Sequence, residues 1–124
     1  MSKAKKERAT VICRRGDKVL LVRKAAAKWN LPGGRIEMNE GAVEAALREL
    51  GEETGLVFSG LEYLARHEFD EDVHHVFSQS VADKQIPRPQ NEIADCRWLA
   101  PTELGETPVK RSGKNLLRQY CQGS

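Results

Sequence analysis

Residues 18–22, with the sequence KVLLV, restrict the fold more than any other short segment of the chain. Their apolar side chains fall on both alternating faces of a strand, so both faces of the sheet that contains it must be covered. A preceding strand over residues 9–14 is joined to a strand over residues 18–23 by a tight turn at residues 15–17, which predicts a hairpin. We therefore predict a layered α/β fold rather than an open all-β one.

The chain has the size and composition of one small domain. It contains 124 residues, of which 40% are hydrophobic, and this length suits a single buried core. Residues 1–8 carry four basic side chains and one acidic one. We predict a flexible basic tail over residues 1–8, followed by a single domain over residues 9–124.

Charge and apolar runs limit the partners of this domain. A formal net charge of +2 is too small to indicate a nucleic acid or a membrane as partner. The chain shows neither the apolar run of a secretion signal nor that of a membrane span. Its 3 cysteines lack the spacing of a zinc site or a disulfide framework. We expect a cytoplasmic protein with free thiols.

A helical pattern occupies residues 41–54. Gly41 lies at the expected N-cap and Gly55 at a left-handed C-cap. Four side chains recur at helical spacing and are expected to dock on the sheet: Val43, Leu47, Leu50 and Thr54. Further strands are predicted over residues 61–69, 73–81 and 94–99, and a closing helix from residue 107.

Three glutamates, Glu49, Glu52 and Glu53, lie on one side of a single turn of this helix. Such like charges repel, no lysine lies four residues away, and a bound cation would remove the cost. Oxygen ligands without His or Cys favour Mg²⁺ or Mn²⁺, which take further ligands from water and phosphates. A solvated acidic face is the alternative, but the glycine pair Gly33-Gly34 upstream and the adjacent Arg48 favour a cation site.

The segment from Gly34 to Leu56 resembles the complete signature of the Nudix hydrolases. Gly34, Glu40 and the run RELGEETGL from residue 48 occupy its defining positions. The hairpin, the entry WNLPGG and the closing helix also follow the order of this family. The resemblance implies an α/β/α sandwich, with a mixed β-sheet between helices. It further implies Mg²⁺-dependent or Mn²⁺-dependent hydrolysis of a pyrophosphate bond, by metal-activated water, in a nucleoside triphosphate or a nucleoside diphosphate linked to another group.

The resemblance also assigns roles by position. The metal ligands would be the carboxylates of Glu49, Glu52 and Glu53 and the carbonyl of Gly33. Arg48 would pair with a glutamate and fix its orientation. The general base would be a glutamate of the helix, Glu52 or Glu53, or Glu92 on a later loop, for which a salt-bridged or exposed side chain is the alternative. Phosphate contacts would come from Arg23, Gly34 and Arg35.

The substrate is less constrained than the reaction. Markers of ADP-ribose, dinucleoside polyphosphate, coenzyme A and NADH hydrolases are missing, which leaves, by elimination, a small MutT-like enzyme that acts on a nucleoside triphosphate. Two alternatives remain. One is a non-catalytic regulator that binds a nucleotide, and the other is an RNA 5′-end pyrophosphohydrolase that would use the basic tail and a basic stripe of the closing helix, formed by Lys110, Lys114 and Arg118. We expect a nucleotide-type small molecule and neither a membrane nor a nucleic acid as partner. Because many small relatives pair, a homodimer remains open.

Overall fold

The computed structural model describes residues 4–121. Within this range the chain forms one sheet, two α-helices and a short 3-10 helix at Pro101–Glu106. In chain order, the strands and α-helices are β1 (Lys6–Arg15), β2 (Lys18–Lys24), β3 (Gly33–Arg35), α1 (Ala42–Thr54), β4 (Glu62–Glu68), β5 (Asp72–Ser80), β6 (Ile93–Leu99) and α2 (Arg111–Cys121). No helix of residues 4–121 has the length and apolar character needed to cross a membrane.

The sheet is mixed, as the resemblance implied. Its strands follow the order β4-β5-β1-β2-β6, and β3 pairs with another part of β1. β1 runs parallel to β5, whereas its pairings with β2 and β3 are antiparallel. The hairpin predicted at the start of the chain is present, with Arg15 opposite Lys18.

The β1–β2 hairpin opens after its first two residue pairs. Arg14 and Arg15 pair with β2, but the earlier residues of β1 pair with β3 instead, with Arg8 opposite Arg35 and Thr10 opposite Gly33. β3 thus lies beside β1 where β2 has turned away. This divergence leaves space at the edge of β3 for a cavity.

Both faces of β2 are covered, as its sequence predicted. Val19 and Leu21 pack in one core cluster with Leu116 of α2. Leu20 lies in a second cluster on the opposite face, together with Leu50 of α1. The fold is therefore an α/β/α sandwich with a mixed sheet between its helices.

Helix α1 has the predicted bounds, and its predicted docking stripe is confirmed at Leu50 and Thr54, which are buried, but not at its start. Gly41 is the N-cap and Gly55 the left-handed C-cap. Val43, expected in the docking stripe, is 37% exposed, whereas Ala45 and Ala46 are fully buried. The prediction was wrong at Val43 because small alanines, which add little to a hydrophobic pattern, bring the helix close to the sheet.

The basic tail predicted over residues 1–8 is wrong for its last three residues. β1 begins at Lys6, and residues 6–8 continue the parallel pairing with β5. Backbone hydrogen bonds, together with a side-chain hydrogen bond of 2.8 Å between Nε2 of His75 and Oε1 of Glu7, hold this end of the strand in place. Residues 1–3 lie outside the described residues, and the remaining domain assignment stays a prediction.

The closing helix begins at Arg111, later than the predicted start at residue 107. The segment before it is extended and lies beside Trp29. The Trp29 amide donates to the Pro108 carbonyl at 2.9 Å, and the Lys110 amide donates to the Trp29 carbonyl at 2.9 Å. Val109 is thus buried in the core from an extended segment rather than from the helix.

Candidate functional site

Helix α1 presents two carboxylates to the glycine pair of β3. Glu53 accepts a hydrogen bond of 2.9 Å from the backbone N–H of Gly33. Burial is the main cause that raises the pKa of Glu53 to about 7. The hydrogen bond from the Gly33 N–H lowers this pKa, and the negative charge of Glu49 raises it further. Charging this carboxylate therefore costs free energy, which a cation beside it would offset.

Other groups lie so close to Gly33 and Gly34 that neither position has room for a side chain. A Cβ at Gly34 would lie 2.6 Å from Oε1 of Glu49, so the missing side chain makes the space that this carboxylate occupies. Gly33 has φ 151, and a Cβ there would overlap the carbonyl oxygen of Ala9 in β1. One glycine thus admits Glu49 and the other allows β3 to pair with β1.

Arg48 joins five groups around the start and middle of α1, including Glu37, whose carboxylate lies 3.7 Å from Nη2. Its Nε and Nη2 donate to the two carboxylate oxygens of Glu40 at 2.7 and 2.9 Å, and its Nη1 donates to Glu49 at 2.8 Å. A weaker contact of 3.5 Å reaches Glu52, and Nη2 also donates to the Arg35 carbonyl. The hydrogen bond to Arg48 lowers the pKa of Glu40 to about 2. Arg48 therefore offsets much of the like-charge repulsion that the glutamate spacing alone indicates.

The three helix glutamates do not converge on one point. Glu49 and Glu53 line a common cavity, whereas Glu52 does not line it, and its side chain is 51% exposed beside Arg48. Among residues 4–121, no group of three His, Cys, Asp or Glu side chains is placed to hold a metal ion by itself. The ligand role of Glu52 and that of the Gly33 carbonyl remain predictions.

A cavity of about 340 Å³ lies at the edge of β3 where β1 and β2 diverge. Seven residues singled out in the sequence line it: Arg23, Gly33, Gly34, Arg35, Glu49, Glu53 and Glu92. Four basic residues that the sequence analysis missed line it too: Arg8, Lys24, Lys28 and Lys110. The sequence offered one signal for Lys24 and Lys28: both lie a few residues before the glycine pair Gly33-Gly34. Arg8 and Lys110 reach the cavity only through strand pairing and the contact with Trp29.

Two basic side chains of the cavity, Arg23 and Lys24, have acidic partners. The guanidinium of Arg23 stacks over Trp29 at 4.7 Å and lies 3.7 Å from the carboxylate of Asp95. Lys24 Nζ lies 3.1 Å from Glu92 Oε2, and the side chain of Glu92 is 79% exposed. Glu92 therefore lies at the exposed mouth of the cavity, beside the ammonium group of Lys24.

The donor set of the cavity fits a hard divalent cation. Mg²⁺ needs oxygen ligands and is usually held by one or two carboxylates, with water and substrate phosphates completing its shell. Glu49 and Glu53 supply two such carboxylates, and both line the cavity. These two residues would hold the ion, and no third side chain is needed.

Comparison with known proteins identifies the family. The model described as NUDIX domain matches residues 4–120. A protein of Bacillus subtilis (strain 168) with the provisional name 8-oxo-dGTP diphosphatase is 35% identical over 98 residues, which cover 76% of this chain and 65% of that protein. Phosphatase NudJ of Escherichia coli (strain K12) is 34% identical over 92 residues, which cover 69% of this chain and 60% of NudJ.

A solved structure extends the likeness to almost the whole chain. The crystal structure of a MutT NUDIX hydrolase from Burkholderia pseudomallei superimposes with a TM-score of 0.82 at 22% identity, and covers 95% of this chain and 99% of that one. At this identity the likeness concerns the fold. The chain spans less than two thirds of the two curated relatives, but the family model covers nearly all of it. The chain belongs to the Nudix hydrolase family.

Proposed function

We propose that this chain hydrolyses a pyrophosphate bond in a nucleoside triphosphate or a nucleoside diphosphate-X substrate, with Mg²⁺ or Mn²⁺ as cofactor. One observation carries the proposal: two carboxylates of α1 and a set of basic side chains line the same cavity. Carboxylates suit a divalent cation and basic groups suit phosphate oxygens. A cation and a phosphate chain brought together are the requirements of metal-assisted phosphoryl chemistry.

The basic side chains would bind and orient the phosphates. Six of them line the cavity, against three carboxylates: Arg8, Arg23, Lys24, Lys28, Arg35 and Lys110. This excess of positive charge attracts a polyphosphate and holds it against the glutamates. Arg23 is already stacked on Trp29, which limits its freedom and reduces the entropy lost when it binds a phosphate.

The glutamates would hold the cation and accept a proton. Glu49 and Glu53 are kept in place by Arg48 and by the Gly33 N–H, respectively. When bound, the cation would neutralise charge on phosphate oxygens and lower the pKa of a coordinated water. Of the three candidates for the proton-accepting role, Glu52 does not line the cavity and Glu53 is used to hold the cation, so we assign the role to Glu92, which lines the cavity as well.

The substrate is tested best by a panel. It should include nucleoside triphosphates, 8-oxo-dGTP because of the name of the Bacillus subtilis relative, nucleotide sugars, ADP-ribose and dinucleoside polyphosphates. Products are resolved by chromatography with and without Mg²⁺ or Mn²⁺. We expect a nucleoside triphosphate to give a monophosphate and pyrophosphate, only when the cation is present. Tight nucleotide binding without turnover of any substrate would instead support a non-catalytic regulator.

The RNA alternative keeps only part of its support. It relied on a basic tail over residues 1–8 and on a basic stripe of the closing helix. Three residues of the tail are part of β1, and Lys110 of the stripe lines the cavity. Arg8 lines the cavity and is available to a small nucleotide as much as to an RNA end.

A further inference from the structure

The loop between β5 and β6 closes the carbonyl end of α1. A helix leaves its last carbonyls without partners inside the helix. Here the Arg88 amide donates to the Thr54 carbonyl at 2.9 Å, and the Gln90 amide donates to the Glu53 carbonyl at 3.2 Å. The loop is thus attached to the same turn of α1 that carries Glu53.

Asn91 completes this attachment with its side chain. Its Nδ2 donates to the Glu52 carbonyl at 2.7 Å. Its backbone has φ 54, a left-handed conformation that Asn tolerates better than most residues do. The Ile93 amide donates to the Gln90 carbonyl at 3.0 Å, so a tight turn encloses Asn91 and Glu92 before β6 begins.

The position of Glu92 therefore depends on both ends of this turn. Ile93, the first residue of β6, is buried and paired opposite Lys24. Asn91, on the other side of Glu92, is bound to the backbone of α1. Glu92 lies between these two attached residues and lines the cavity, and its side chain forms an ion pair with Lys24.

We propose that Asn91 is a positioning residue, whose side chain sets the distance between Glu92 and the carboxylates of α1. The proposal rests on the proposed hydrolysis and on the role of Glu92 in it. The hydrogen bond from Asn91 joins the loop to the last turn of α1, where Glu53 accepts a hydrogen bond from the Gly33 N–H, and it holds the next residue, Glu92, relative to that turn. A small displacement of a reacting group can lower a rate strongly without weakening substrate binding.

Two variants separate the side chain of Asn91 from its backbone conformation. Asn91→Gly removes the hydrogen bond and keeps the left-handed backbone accessible, and Asn91→Asp keeps the shape but replaces the donor by an acceptor. We expect both to lower kcat by about tenfold, with KM within about twofold of wild type, because the basic side chains of the cavity are unchanged. Melting temperature is measured in parallel.

Asn39 offers a matched control. It is also left-handed, with φ 64°, and it is exposed to solvent. Asn39→Gly should keep the kcat of wild type. A wild-type kcat in Asn91→Gly and Asn91→Asp would overturn the proposal.

A double-mutant cycle tests whether Asn91 acts through Glu92. In the Glu92→Gln background, Asn91→Gly should cost less than about twofold in kcat, since the group it positions has been removed. The same tenfold loss in both backgrounds would assign Asn91 a role apart from Glu92 and overturn the proposal. If the wild-type chain hydrolyses no member of the substrate panel, the proposed function itself fails. If the wild-type chain is active but Asn91 and Glu92 are not coupled, only the role of Asn91 fails.

Discussion

The carboxylate of Glu53 is costly to charge because it is half-buried, and the same property suits it to hold a cation. Burial raises its pKa to about 7, so that near neutral pH it is charged only in part when no cation is bound. The Gly33 N–H offsets some of this cost and fixes the direction of one oxygen. A carboxylate held in this way gains more from a divalent cation than an exposed one would.

Gly34→Ala should impair the site with little effect on the fold. The added methyl group would meet the carboxylate of Glu49, the far end of a flexible side chain that can move away. We expect kcat/KM to fall by roughly a hundredfold, since the displaced carboxylate no longer faces the cavity. Gly60→Ala, where a Cβ would meet nothing within 4 Å, is the control. An unchanged kcat/KM in Gly34→Ala would contradict the account of the glycine pair.

The ion pair of Glu40 with Arg48 should make stability depend on pH in the acid range. The folded-state pKa of Glu40 is about 2, below its ordinary value of 4.5. The contribution of the pair is therefore complete above about pH 4.5 and is lost as the pH falls through 2. Glu40→Gln should lower the free energy of unfolding at pH 6, and the difference from wild type should shrink towards pH 2.

Urea denaturation of the metal-free protein between pH 2 and pH 6 measures this difference. The Arg48 interactions with Glu49 and Glu52 remain in the variant, so the change reports on Glu40. A difference that is constant over the whole range would show that Glu40 acts through something other than its charge.

At the scale of elements, the bounds of α1 were easier to predict than its buried face. Gly41 and Gly55 end the helix by backbone conformation, which depends on local sequence alone. The face depends on what the sheet offers, and Ala45 and Ala46 fit where larger side chains would not. The start of α2 was misplaced for a similar reason, because residues 107–110 pair with Trp29 rather than continue as helix.

Two truncations on α1 test which face docks. Leu50→Ala, at a fully buried position, should lower the free energy of unfolding by about 2–5 kcal/mol, through lost burial and the cavity left behind. Val43→Ala, at a position 37% exposed, should cost less than about 0.5 kcal/mol. The free energy of unfolding of both variants is measured by urea denaturation. Equal decreases in the two variants would show that Val43 packs against the sheet as Leu50 does.

At the scale of the whole molecule, the site combines local and distant parts of the chain. The glycine pair and the glutamates of α1 lie within one segment, so their spacing could be interpreted without a structure. Arg8 enters from β1 and Lys110 from the segment before α2, and their meeting depends on strand order and on the opening of the hairpin. No local sequence pattern predicts that such distant residues lie together. The sequence analysis therefore found only some of the basic side chains that line the cavity.

The parallel pairing of β1 with β5 ties the site to the fold. β1 holds β3 through the pairs from Arg8 to Thr10, and it holds β5 through the pairs from Lys6 to Arg14. The cavity thus rests on the strand with the most partners in the sheet. A rigid support of this kind suits a site in which carboxylates and phosphates must be held at fixed distances.

The most direct test of the central claim is the rate of nucleotide hydrolysis by Glu53→Gln. Glutamine keeps an oxygen acceptor for the Gly33 N–H, so the fold should survive, but it cannot supply the charge that holds a cation. With the substrate found in the panel and Mg²⁺ present, we expect kcat to fall roughly a thousandfold, with the melting temperature preserved. Glu44→Gln, on an exposed part of α1, should match wild type. Cation-dependent hydrolysis by Glu53→Gln at the wild-type rate would contradict the account.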